Sequence, residues 1–358
     1  MLVWIGILVL TFVISVVSLA FFRSRGDGSA AVRNISLGLV AVAAVATAGF
    51  GIVHSLNAVV ILLHLGVFFL GTEVADAVLG AAANKKHRGV LPVVAAAILG
   101  CIVYLLAGYV SAHTVRRAEV SVETAKALPN DGLRIVLLSD VHLGTTMDDE
   151  DLAKLLQRIA DEKPDIVAVA GDLIDGSTEQ ESMMRACGAF AALAKVCDVY
   201  YVDGNHEVED SSERTLASLH EELAKNGVRV LCDEVVLTDG GCYVVGRRDR
   251  SDSRKSIAAL TEGLEADRFC IVMDHQPNDF DAESRAAVDL VLCGHTHGGF
   301  LLPIPWVAPF VPGFFDADRF VGTEVRGTTN FVVSAGAGTW GISFKTGAWS
   351  DYTVIDVR

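Results

Sequence analysis

Five short polar motifs combine carboxylates, an amide and imidazoles, and each follows a run of apolar residues. In chain order they are Ser139–His142, Gly171–Asp175, Gly204–Glu207, Asp274–Pro277 and Gly294–Gly299. Carboxylate oxygens and imidazole nitrogens are the usual ligands of Zn, Mn and Fe in proteins. One such motif is common by chance, whereas five in succession predict a site that holds transition metals for catalysis.

The spacing within the motifs favours convergence on one site. Asp140 and His142 are two residues apart, as are His295 and His297. Residues i and i+2 of an extended segment point to the same side, so each pair can face one metal. Glycines within the motifs let the backbone turn sharply beneath these side chains.

The elements that must position the motifs alternate between strands and helices from Leu133 onwards. Apolar runs predict strands at 133–138, 166–170, 199–202, 228–231, 242–245, 270–273, 290–293, 331–334 and 352–357. Helical spacing of apolar residues predicts helices at 151–161, 181–195 and 213–226. The predicted fold class is therefore α/β, with two packed sheets covered by helices and the polar motifs at the strand ends.

The first third of the chain is apolar enough to lie in a membrane. The 358 residues are 51% hydrophobic, which is high for a soluble protein. Crossing a bilayer core takes about 20 apolar helical residues. Stretches of that kind predict four transmembrane spans, at about 2–22, 35–53, 56–79 and 89–112. Residues 1–112 are thus predicted to be a four-helix transmembrane region, 113–132 a linker and 133–358 the catalytic domain.

The charges that flank the spans predict their orientation. Arg23, Arg25 and Arg33 form one basic loop, and residues 85–88 form another. The positive-inside rule puts both loops in the cytoplasm, and with four spans the catalytic domain is then extracytoplasmic. Three inserted spans would reverse this assignment. A cleaved signal peptide is the alternative interpretation of 2–22, but the basic residues follow that stretch and do not precede it.

The charge balance argues against one class of partner. Residues 1–118 carry a net charge of +5, and the remainder carries −20. A domain this acidic is a poor binder of nucleic acid, because phosphate backbones are bound by basic surfaces. It can instead attract divalent cations.

The motif order D-x-H, G-D-x-x-D, G-N-H-E, H-x-P and G-H-x-H resembles the calcineurin-like metallophosphoesterase superfamily. The resemblance covers Leu133 to Arg358 and leaves out the apolar part of the chain. The later run Ser334–Thr339 is similar to the branch that contains bacterial membrane-associated phosphodiesterases. The resemblance implies a two-sheet αββα sandwich, two divalent transition metal ions (Mn, Fe or Zn), and hydrolysis of phosphate monoesters or diesters by a metal-bound hydroxide.

The resemblance also implies a role for each motif residue. The first metal would be held by Asp140, His142, Asp172 and His297, and the second by Asp172, Asn205, His275 and His295. Asp172 would bridge the two metals. His206 would be the catalytic residue, facing the phosphate and protonating the leaving group. Lys345 stands about where the family has an arginine, a departure on the substrate side of the pocket.

Three acidic residues of the motifs lie outside this ligand set. Asp175 is interpreted as a turn cap. Glu207 and Asp274 are interpreted as residues that orient a ligand imidazole.

Two further assignments concern residues away from the motifs. His220 is interpreted as a plain surface residue. Cys232 and Cys242 flank a turn-rich segment and could form a disulfide if the domain is exported, but free thiols are the favoured interpretation.

The segment Phe300–Phe315 bears on the substrate. It follows the last predicted ligand and is rich in apolar residues and in proline, which disfavours a regular helix or a central strand. An apolar loop beside a phosphate site predicts contact with lipid or an acyl chain, and a loop folded over the core is the alternative. The predicted substrates are phospholipids, lipid-linked phosphates or other cell-envelope phosphates, with membrane lipids as partners.

Two other functions remain compatible with the sequence. The enzyme could act on soluble phosphate esters and be merely tethered to the membrane. Alternatively, the chain could be a membrane sensor or scaffold with a non-catalytic metal site, although its complete set of motif residues disfavours that function.

Overall fold

Two compact units, Met1–Gly108 and Tyr109–Arg358, make up the chain. The computed structural model describes residues 56–82, 90–129, 132–210, 212–310 and 316–358. The first two predicted spans, 2–22 and 35–53, lie outside the described residues.

Two apolar helices correspond to the third and fourth predicted spans. Helix α1 spans Leu56–Ala82 and helix α2 spans Val90–Ala112. Each contains a stretch long and apolar enough to cross a membrane, Leu63–Gly80 in α1 and Val93–Ala112 in α2. Of the predicted four-helix region, the described residues therefore contain these two helices.

The two helices pack through aromatic rings and one small residue. His64 stacks on Tyr104 with ring centroids 5.2 Å apart, and the ring of Phe68 lies 5.7 Å from the same tyrosine. A Cβ at Gly100 would come within 2.9 Å of the Phe68 ring, so a residue without a side chain permits this close approach. Large apolar side chains on the outer faces, such as Leu99, are exposed.

The second unit alternates strands and helices, as predicted. Within the described residues its strands are β1 (Arg116–Val122), β2 (Leu133–Leu138), β3 (Ile166–Ala170), β4 (Asp198–Val202), β5 (Arg229–Val230), β6 (Glu234–Leu237), β7 (Tyr243–Gly246), β8 (Cys270–Met273), β9 (Leu290–Cys293), β10 (Gly322–Arg326), β11 (Thr329–Val333) and β12 (Asp351–Val357). The helices are α3 (Asp149–Asp161), α4 (Gln180–Leu193), α5 (Asn205–Glu209), α6 (Glu213–Lys225), α7 (Ile257–Thr261), α8 (Phe280–Glu283) and α9 (Ile304–Val307), with 3-10 turns at His297–Gly299 and Ala308–Phe310.

The strands of the described residues form two mixed sheets of six strands each. The first sheet has the order β1-β12-β2-β3-β4-β5, and the second has the order β10-β11-β9-β8-β7-β6. Strands β2 to β5 run parallel in the first sheet, and β11, β9, β8 and β7 run parallel in the second. The prediction of an α/β fold with two sheets is confirmed.

Alternating side chains of the strands join the sheets to each other and to the helices. Ile135 and Leu137 of β2 share an apolar cluster with Met273 of β8, between the two sheets. Their neighbours Val136 and Leu138 point to the opposite face, where they cluster with residues of α3 and α4. Beyond the second sheet, residues of β7, β8 and β9 cluster with α7 and α8. The layers are therefore helix, sheet, sheet and helix.

Part of the predicted linker 113–132 is a strand of the first sheet. Residues Arg116–Val122 form β1, which pairs in parallel with β12 over its whole length. The residue pattern does not predict this strand, because its first residues are charged and exposed and only Val122 at its end is buried. Charged residues on an edge strand protect it from pairing with other chains. The folded domain therefore begins before the predicted boundary at Leu133.

Candidate metal centre

All the residues predicted to bind metal or catalyse lie just beyond the carboxyl ends of neighbouring parallel strands. They follow β2, β3, β4, β8 and β9 in chain order: Asp140, His142, Asp172, Asn205, His206, His275, His295 and His297. Open sheets place their binding sites at this edge. The seven predicted metal ligands, all of these except His206, are called the ligand cluster below.

Asp172 is the central carboxylate of the ligand cluster. Its Oδ2 lies 3.4 Å from Nε2 of His142 and 3.1 Å from Nε2 of His275. Its Oδ1 accepts a hydrogen bond of 3.0 Å from the backbone N–H of His206. Donor atoms of Asp172, His275 and His295 lie within 4.8 Å of one another, and so do those of His142, Asp172 and His206. The Asp172 carboxylate is thus shared by two groups of donor atoms.

Asp140 joins the ligand cluster from the end of β2. Its Oδ1 lies 3.6 Å from Nε2 of His297. Both carboxylate oxygens accept hydrogen bonds from the backbone N–H of His295, at 2.8 and 3.1 Å. Asp140, His142 and His297 bring their donor atoms within 4.8 Å of one another. A second buried carboxylate therefore lies on the His142 side of Asp172.

Asn205 contributes an amide oxygen on the other side of Asp172. Its Oδ1 lies 2.8 Å from Nδ1 of His295 and 3.2 Å from Nε2 of His275. The opposite nitrogen of His275 bonds to the carbonyl of Ala170 at 2.7 Å, which fixes the orientation of that ring. The structure thus gathers all seven predicted ligands in one place.

The backbone at the ligands adopts a conformation that side chains rarely take. Eight residues other than glycine have positive φ in the described part of the chain, and five of them are predicted ligands. These five are Asp140, His142, Asp172, His295 and His297, with φ between 45° and 72°. Backbone in this region costs about 1–3 kcal/mol per residue and concentrates at functional sites. The fold therefore bears a cost in order to aim these side chains.

Two glycines permit the carboxylates to lie against neighbouring loops. A Cβ at Gly204 would lie 2.1 Å from Oδ1 of Asp172, and a Cβ at Gly294 would lie 2.3 Å from Oδ2 of Asp140. Any side chain at either position would displace a carboxylate from the cluster. This close approach explains the glycines that precede the Asn205 and His295 motif residues.

Burial and neighbouring charge set the protonation of the ligand cluster. Burial raises the pKa of Asp140 above its ordinary value. Burial lowers the pKa of His295 to about 4 and also lowers that of His297, so both rings are neutral at neutral pH and can offer a lone pair to a metal. Burial opposes charge on His142 as well, but its contacts with Asp172 and Asp175 raise its pKa to about 9. The buried carboxylates thus require positive charge, which an imidazolium or a metal ion can supply.

Glu207 fixes backbone and not, as the sequence predicted, an imidazole. Its buried carboxylate accepts hydrogen bonds from the backbone N–H groups of Gly204 at 2.7 Å, Asp172 at 2.9 Å and Ile174 at 3.0 Å. Burial raises the pKa of this carboxyl to about 8. Glu207 therefore ties the loop after β3 to the loop after β4, and so fixes the position of Asp172 relative to Asn205.

Asp175 caps a turn, as predicted, and also contacts a ligand. Its Oδ1 accepts hydrogen bonds from the N–H and the hydroxyl of Ser177. Its Oδ2 lies 3.3 Å from Nδ1 of His142, whose Nε2 faces Asp172. Metal-binding histidines usually hold their second ring nitrogen against a carboxylate or carbonyl in this way. Residue spacing could not have predicted this contact, because Asp175 and His142 belong to different motifs.

His206 lies at the start of α5 with its ring held on two sides. Its Nδ1 pairs with the carboxylate of Asp210, one helical turn further on. Its ring packs 4.8 Å from the ring of Trp340 and 4.9 Å from that of His142. The i, i+4 spacing could have revealed Asp210 from the sequence. Trp340 carried no such signal, because it is more than a hundred residues distant in the chain.

Lys345 does not face the substrate side of the site. Its buried amino group donates hydrogen bonds to the carbonyls of Ala335 at 2.5 Å and Gly336 at 2.9 Å, and to the hydroxyl of Ser350 at 3.2 Å. The carbonyls belong to the loop that follows β11. A Cβ at Gly336 would lie 2.6 Å from Cβ of Asp140, so this loop lies against the ligand cluster. Lys345 therefore anchors a supporting loop.

Asp274 also differs from its predicted role of orienting a ligand. Its carboxylate accepts hydrogen bonds from Arg247 at 2.7 Å and from Arg254 at 2.9 Å. Arg247 also pairs with Asp279 at 2.9 Å and with Glu283 at 3.1 Å. These five residues are called the salt-bridge cluster below. Asp274 belongs to this neighbouring network, and its side chain is committed to guanidinium groups.

The apolar segment after His297 is anchored by some of its side chains and exposes others. Phe300 lies with its ring 4.4 Å from that of His297. Leu301 is buried, whereas Trp306 is 67% exposed and Phe310 is 83% exposed. Part of residues 300–310 is thus folded over the core, whereas the contact of the exposed part with lipid stays a prediction. Residues 311–315 lie outside the described residues.

A short helix forms in this segment despite its prolines. Residues Ile304–Val307 form α9, with a proline within its first turn. Proline is tolerated there because the first N–H groups of a helix have no partner within it. Within the described residues 300–310, the prediction that proline prevents a regular helix therefore holds apart from this single turn and the 3-10 turn that follows it.

Comparison with known proteins relates this site to a family. Residues 133–299 match the family model described as calcineurin-like phosphoesterase. An uncharacterized metallophosphoesterase of Aquifex aeolicus is 29% identical over 266 residues, which cover 72% of this chain and 98% of that protein. An uncharacterized metallophosphoesterase of Campylobacter jejuni is 28% identical over 227 residues, covering 63% of this chain and 59% of that one.

A third relative includes a membrane part in its name. It is a transmembrane protein with metallophosphoesterase domain from Bos taurus, 27% identical over 244 residues, which cover 63% of this chain and 53% of that protein. The chain thus spans little more than half the length of two of these three relatives. The family match and the cluster of donor atoms fall in the same part of the chain. Residues 133–299 thus form a domain of the calcineurin-like metallophosphoesterase superfamily, and this domain is a metal-dependent phosphoesterase domain.

Proposed function

We propose that this chain is a membrane-anchored phosphoesterase that holds two transition metal ions and hydrolyses phosphate esters bearing an apolar group. The observation that carries the proposal is the position of the Asp172 carboxylate, 3.4 Å from His142 on one side and 3.1 Å from His275 on the other. A carboxylate shared in this way can bridge two ions. We call the proposed site the paired-metal centre.

The donor atoms fit two ions of the Mn, Fe or Zn type. Asp140, His142, Asp172 and His297 would hold the first ion, and Asp172, Asn205, His275 and His295 would hold the second. Both ring nitrogens of His142 are buried without a hydrogen-bond partner of good geometry, although carboxylates lie close by. Buried polar atoms in folded proteins normally have such partners. Coordination of a metal ion by His142 would give one of these buried nitrogens a partner and would explain the exception.

The side chains around the centre supply positioning and a proton. When bound, the ions would neutralise the carboxylates, lower the pKa of a water and stabilise charge on the phosphoryl oxygens. His206 holds Nδ1 against Asp210, which leaves Nε2 to donate a proton to the leaving oxygen. Trp340 packs against the His206 ring and excludes water from one side of it. Asp210 and Trp340 are thus positioning residues for His206.

The exposed apolar side chains beside the site support a substrate with an acyl or other hydrocarbon part. Trp306, Val307 and Phe310 are exposed on one short segment, and the same segment reaches the site through Phe300 and His297. Exposed aromatic residues so close together are unusual on a soluble surface and suit contact with lipid. Phospholipids and lipid-linked phosphates are the substrate classes that combine a phosphate ester with such a group.

The membrane anchor is proposed to have four spans, with residues 133–358 outside the cytoplasm. Two described helices long and apolar enough to span support the anchor, as do the basic loops at Arg23–Arg33 and 85–88. Labelling of an introduced surface cysteine by a membrane-impermeant reagent in intact cells tests the side. Labelling only after the cells are lysed would show that residues 133–358 lie in the cytoplasm, which is the opposite of the proposed orientation.

Activity of the purified full-length chain in detergent tests the reaction. The chain is stripped of metal with a chelator, reloaded with Mn²⁺, Fe²⁺ or Zn²⁺, and assayed on a chromogenic phosphodiester and a chromogenic monoester. We expect hydrolysis that depends on the added metal. No hydrolysis of either substrate with metal bound would favour the sensor or scaffold function instead.

Paired substrates then test the apolar part of the proposal. Hydrolysis of a long-chain phospholipid is compared with that of its water-soluble short-chain analogue, in the wild type and in Trp306→Ser and Phe310→Ser variants. We expect the substitutions to raise KM for the long-chain substrate and to leave the short-chain substrate unaffected. Equal effects on both substrates would argue for a merely tethered enzyme. Val325→Ser is a matched control, since Val325 is exposed but lies on the edge strand β10.

A further inference from the structure

A second group of potential ligands lies outside the paired-metal centre. Donor atoms of Asp203, His220 and Cys232 lie within 4.8 Å of one another. Nε2 of His220 is 2.7 Å from Oδ1 of Asp203. None of these side chains belongs to the ligand cluster, and the sequence had suggested that His220 was a plain surface residue. A carboxylate, an imidazole and a thiol at such distances form a ligand set that suits zinc.

The fold brings the three residues together through adjacent strands and one helix. Strands β4 and β5 are parallel neighbours, with Tyr201 opposite Val230. Continuing that register by two residues puts Asp203 beside Cys232, just beyond the strand ends. Helix α6 contributes His220, whose ring lies 6.4 Å from that of Tyr201. Two paired strands and one helix thus bring the three residues to the same place, with Asp203 and Cys232 in the loops that follow the strands.

An open cavity adjoins the group. His220 and Cys232 both line a cavity of about 660 Å³, together with Gly227, Val228 and Arg229 among others. Asp203 is nearly buried, whereas His220 and Cys232 are half-buried. A cation would therefore have three protein ligands on one side and access from solvent on the other. Zinc sites that keep an exchangeable fourth position have this form.

We propose that Asp203, His220 and Cys232 bind a thiophilic divalent cation such as Zn²⁺, at a site separate from the paired-metal centre. We call it the β4–β5 site. Sulfur, nitrogen and oxygen ligands together favour Zn²⁺ or Cd²⁺ over Mn²⁺ or Mg²⁺, which prefer oxygen. The paired-metal centre has no sulfur ligand, so a signal from a metal–thiolate bond reports on the β4–β5 site and not on that centre.

A nucleophilic triad is the other chemistry that a cysteine, a histidine and an aspartate suggest. Burial and the carboxylate of Asp203 raise the pKa of the Cys232 thiol to about 11. A catalytic cysteine needs the opposite shift, because the thiolate is the nucleophile. A cation is the partner that overcomes this burial, since a coordinated thiol loses its proton.

Cobalt(II) in place of zinc gives a direct test, because a thiolate ligand produces an intense near-ultraviolet charge-transfer band. The purified full-length chain is stripped of metal and titrated with Co²⁺. We expect the band in the wild type, its loss in Cys232→Ser, and its displacement by Zn²⁺. The band should persist in Asp172→Asn, because that change affects only the paired-metal centre. His220→Ala should weaken Co²⁺ binding at least about tenfold. Loss of a residue that only hydrogen-bonds to a metal ligand already lowers metal affinity by about that factor.

Cys197→Ser is the matched control. Cys197 is the other half-buried cysteine, and its thiol bonds to the carbonyl of Leu193. The Cys197→Ser variant should keep the band. No band in the wild type at saturating Co²⁺, or a band that persists in Cys232→Ser, would overturn the proposal.

Alkylation of the wild-type chain gives a readout that does not depend on whether a variant folds. The chain is treated with iodoacetamide with and without Zn²⁺, and modification at each cysteine is measured by peptide mass spectrometry. We expect Zn²⁺ to protect Cys232 and to leave Cys197 unprotected. Equal labelling of Cys232 with and without Zn²⁺ would show that this group is only a hydrogen-bonded pair beside a thiol.

Discussion

Two buried charged clusters lie at strand ends in this domain, and they balance their charge in different ways. The salt-bridge cluster neutralises its acids with guanidinium groups, and Arg247 contacts Asp274, Asp279 and Glu283 at 2.7 to 3.1 Å. In the ligand cluster, Asp140 and Asp172 face imidazoles and backbone N–H groups. Guanidinium is a permanent cation, whereas an imidazole can release its proton and bind a metal. The first cluster is complete in itself, and the second is arranged for a cation from solution.

Backbone conformation separates the two clusters as clearly as charge does. Five of the seven residues of the ligand cluster have positive φ, and none of the five residues of the salt-bridge cluster does. The charges of the salt-bridge cluster also balance. Burial and the nearby Asp274 raise the pKa of Glu283 well above its ordinary value, so that Glu283 is protonated. The two arginines of the cluster then balance its two aspartates. Of the two clusters, strained backbone is thus confined to the one that we propose binds metal, and the cluster that pairs its charges internally has relaxed backbone.

The largest effect is expected from Asp172→Asn. The change removes the shared carboxylate, so both ions should be lost, and with them several kcal/mol of transition-state stabilisation, about 10³-fold or more in rate. Metal analysis of the purified protein and turnover of a phosphodiester measure the two losses. A variant that keeps both ions would contradict the bridging role.

Arg247→Met should have the opposite pattern of effects: the folded state should lose stability, and the metal content should not change. Removing one partner of a buried ion-pair network costs about 3–5 kcal/mol, because it leaves carboxylates without compensation. Unfolding by urea, followed by circular dichroism, measures this loss. Metal content per folded chain should be unchanged. If the variant instead lost its metals at unchanged stability, the division between the two clusters would be wrong.

His206→Ala separates the effect on catalysis from the effect on metal binding, because His206 lies beside the ligand cluster and is not one of the seven predicted ligands. Loss of a general acid should lower kcat about 10²-fold or more, with metal content intact. A substrate whose leaving group needs no proton should be much less affected. Unchanged turnover on an ordinary diester would remove His206 from the mechanism.

The smallest effect is expected for an ion pair at the surface. It gives a weak, solvent-screened interaction with which the two buried clusters can be compared. Asp149 accepts hydrogen bonds from Arg185, and this contact lowers the pKa of Asp149 to about 2. The unfolded value is about 3.9, so the pair stabilises the fold fully above about pH 4, and this contribution is lost as the pH falls through about 2. Asp149→Asn should lower Tm slightly at neutral pH, because Arg185 is largely exposed and the pair is screened. Thermal unfolding over that pH range should show the difference from the wild type shrinking in acid, and a constant difference would exclude this origin.

Much of the site could be predicted because its residues follow apolar strands that are plain in the sequence. Asp140, Asp172 and His275 each come directly after a run that is buried on both faces. Strand β1 was missed because an edge strand with charged residues looks like a linker. The roles of Glu207 and Lys345 were mistaken for a different reason. Their hydrogen-bond partners are backbone groups, whose positions depend on how the loops fold together and leave no mark on residue type.

The predicted ligands come from both sheets, and this affects the order in which the protein can be made. Each proposed ion would take ligands from the loops after β2, β3 or β4 and also from those after β8 or β9. During synthesis the ligands that follow strands of the first sheet, Asp140 to Asn205, leave the ribosome well before His297 does, and β12 of that sheet follows later still. No metal can be held with its full set of ligands until that histidine has emerged and the two layers have met. Metal uptake should therefore be a late event in maturation, and it would fasten the two layers together only once the whole sandwich exists.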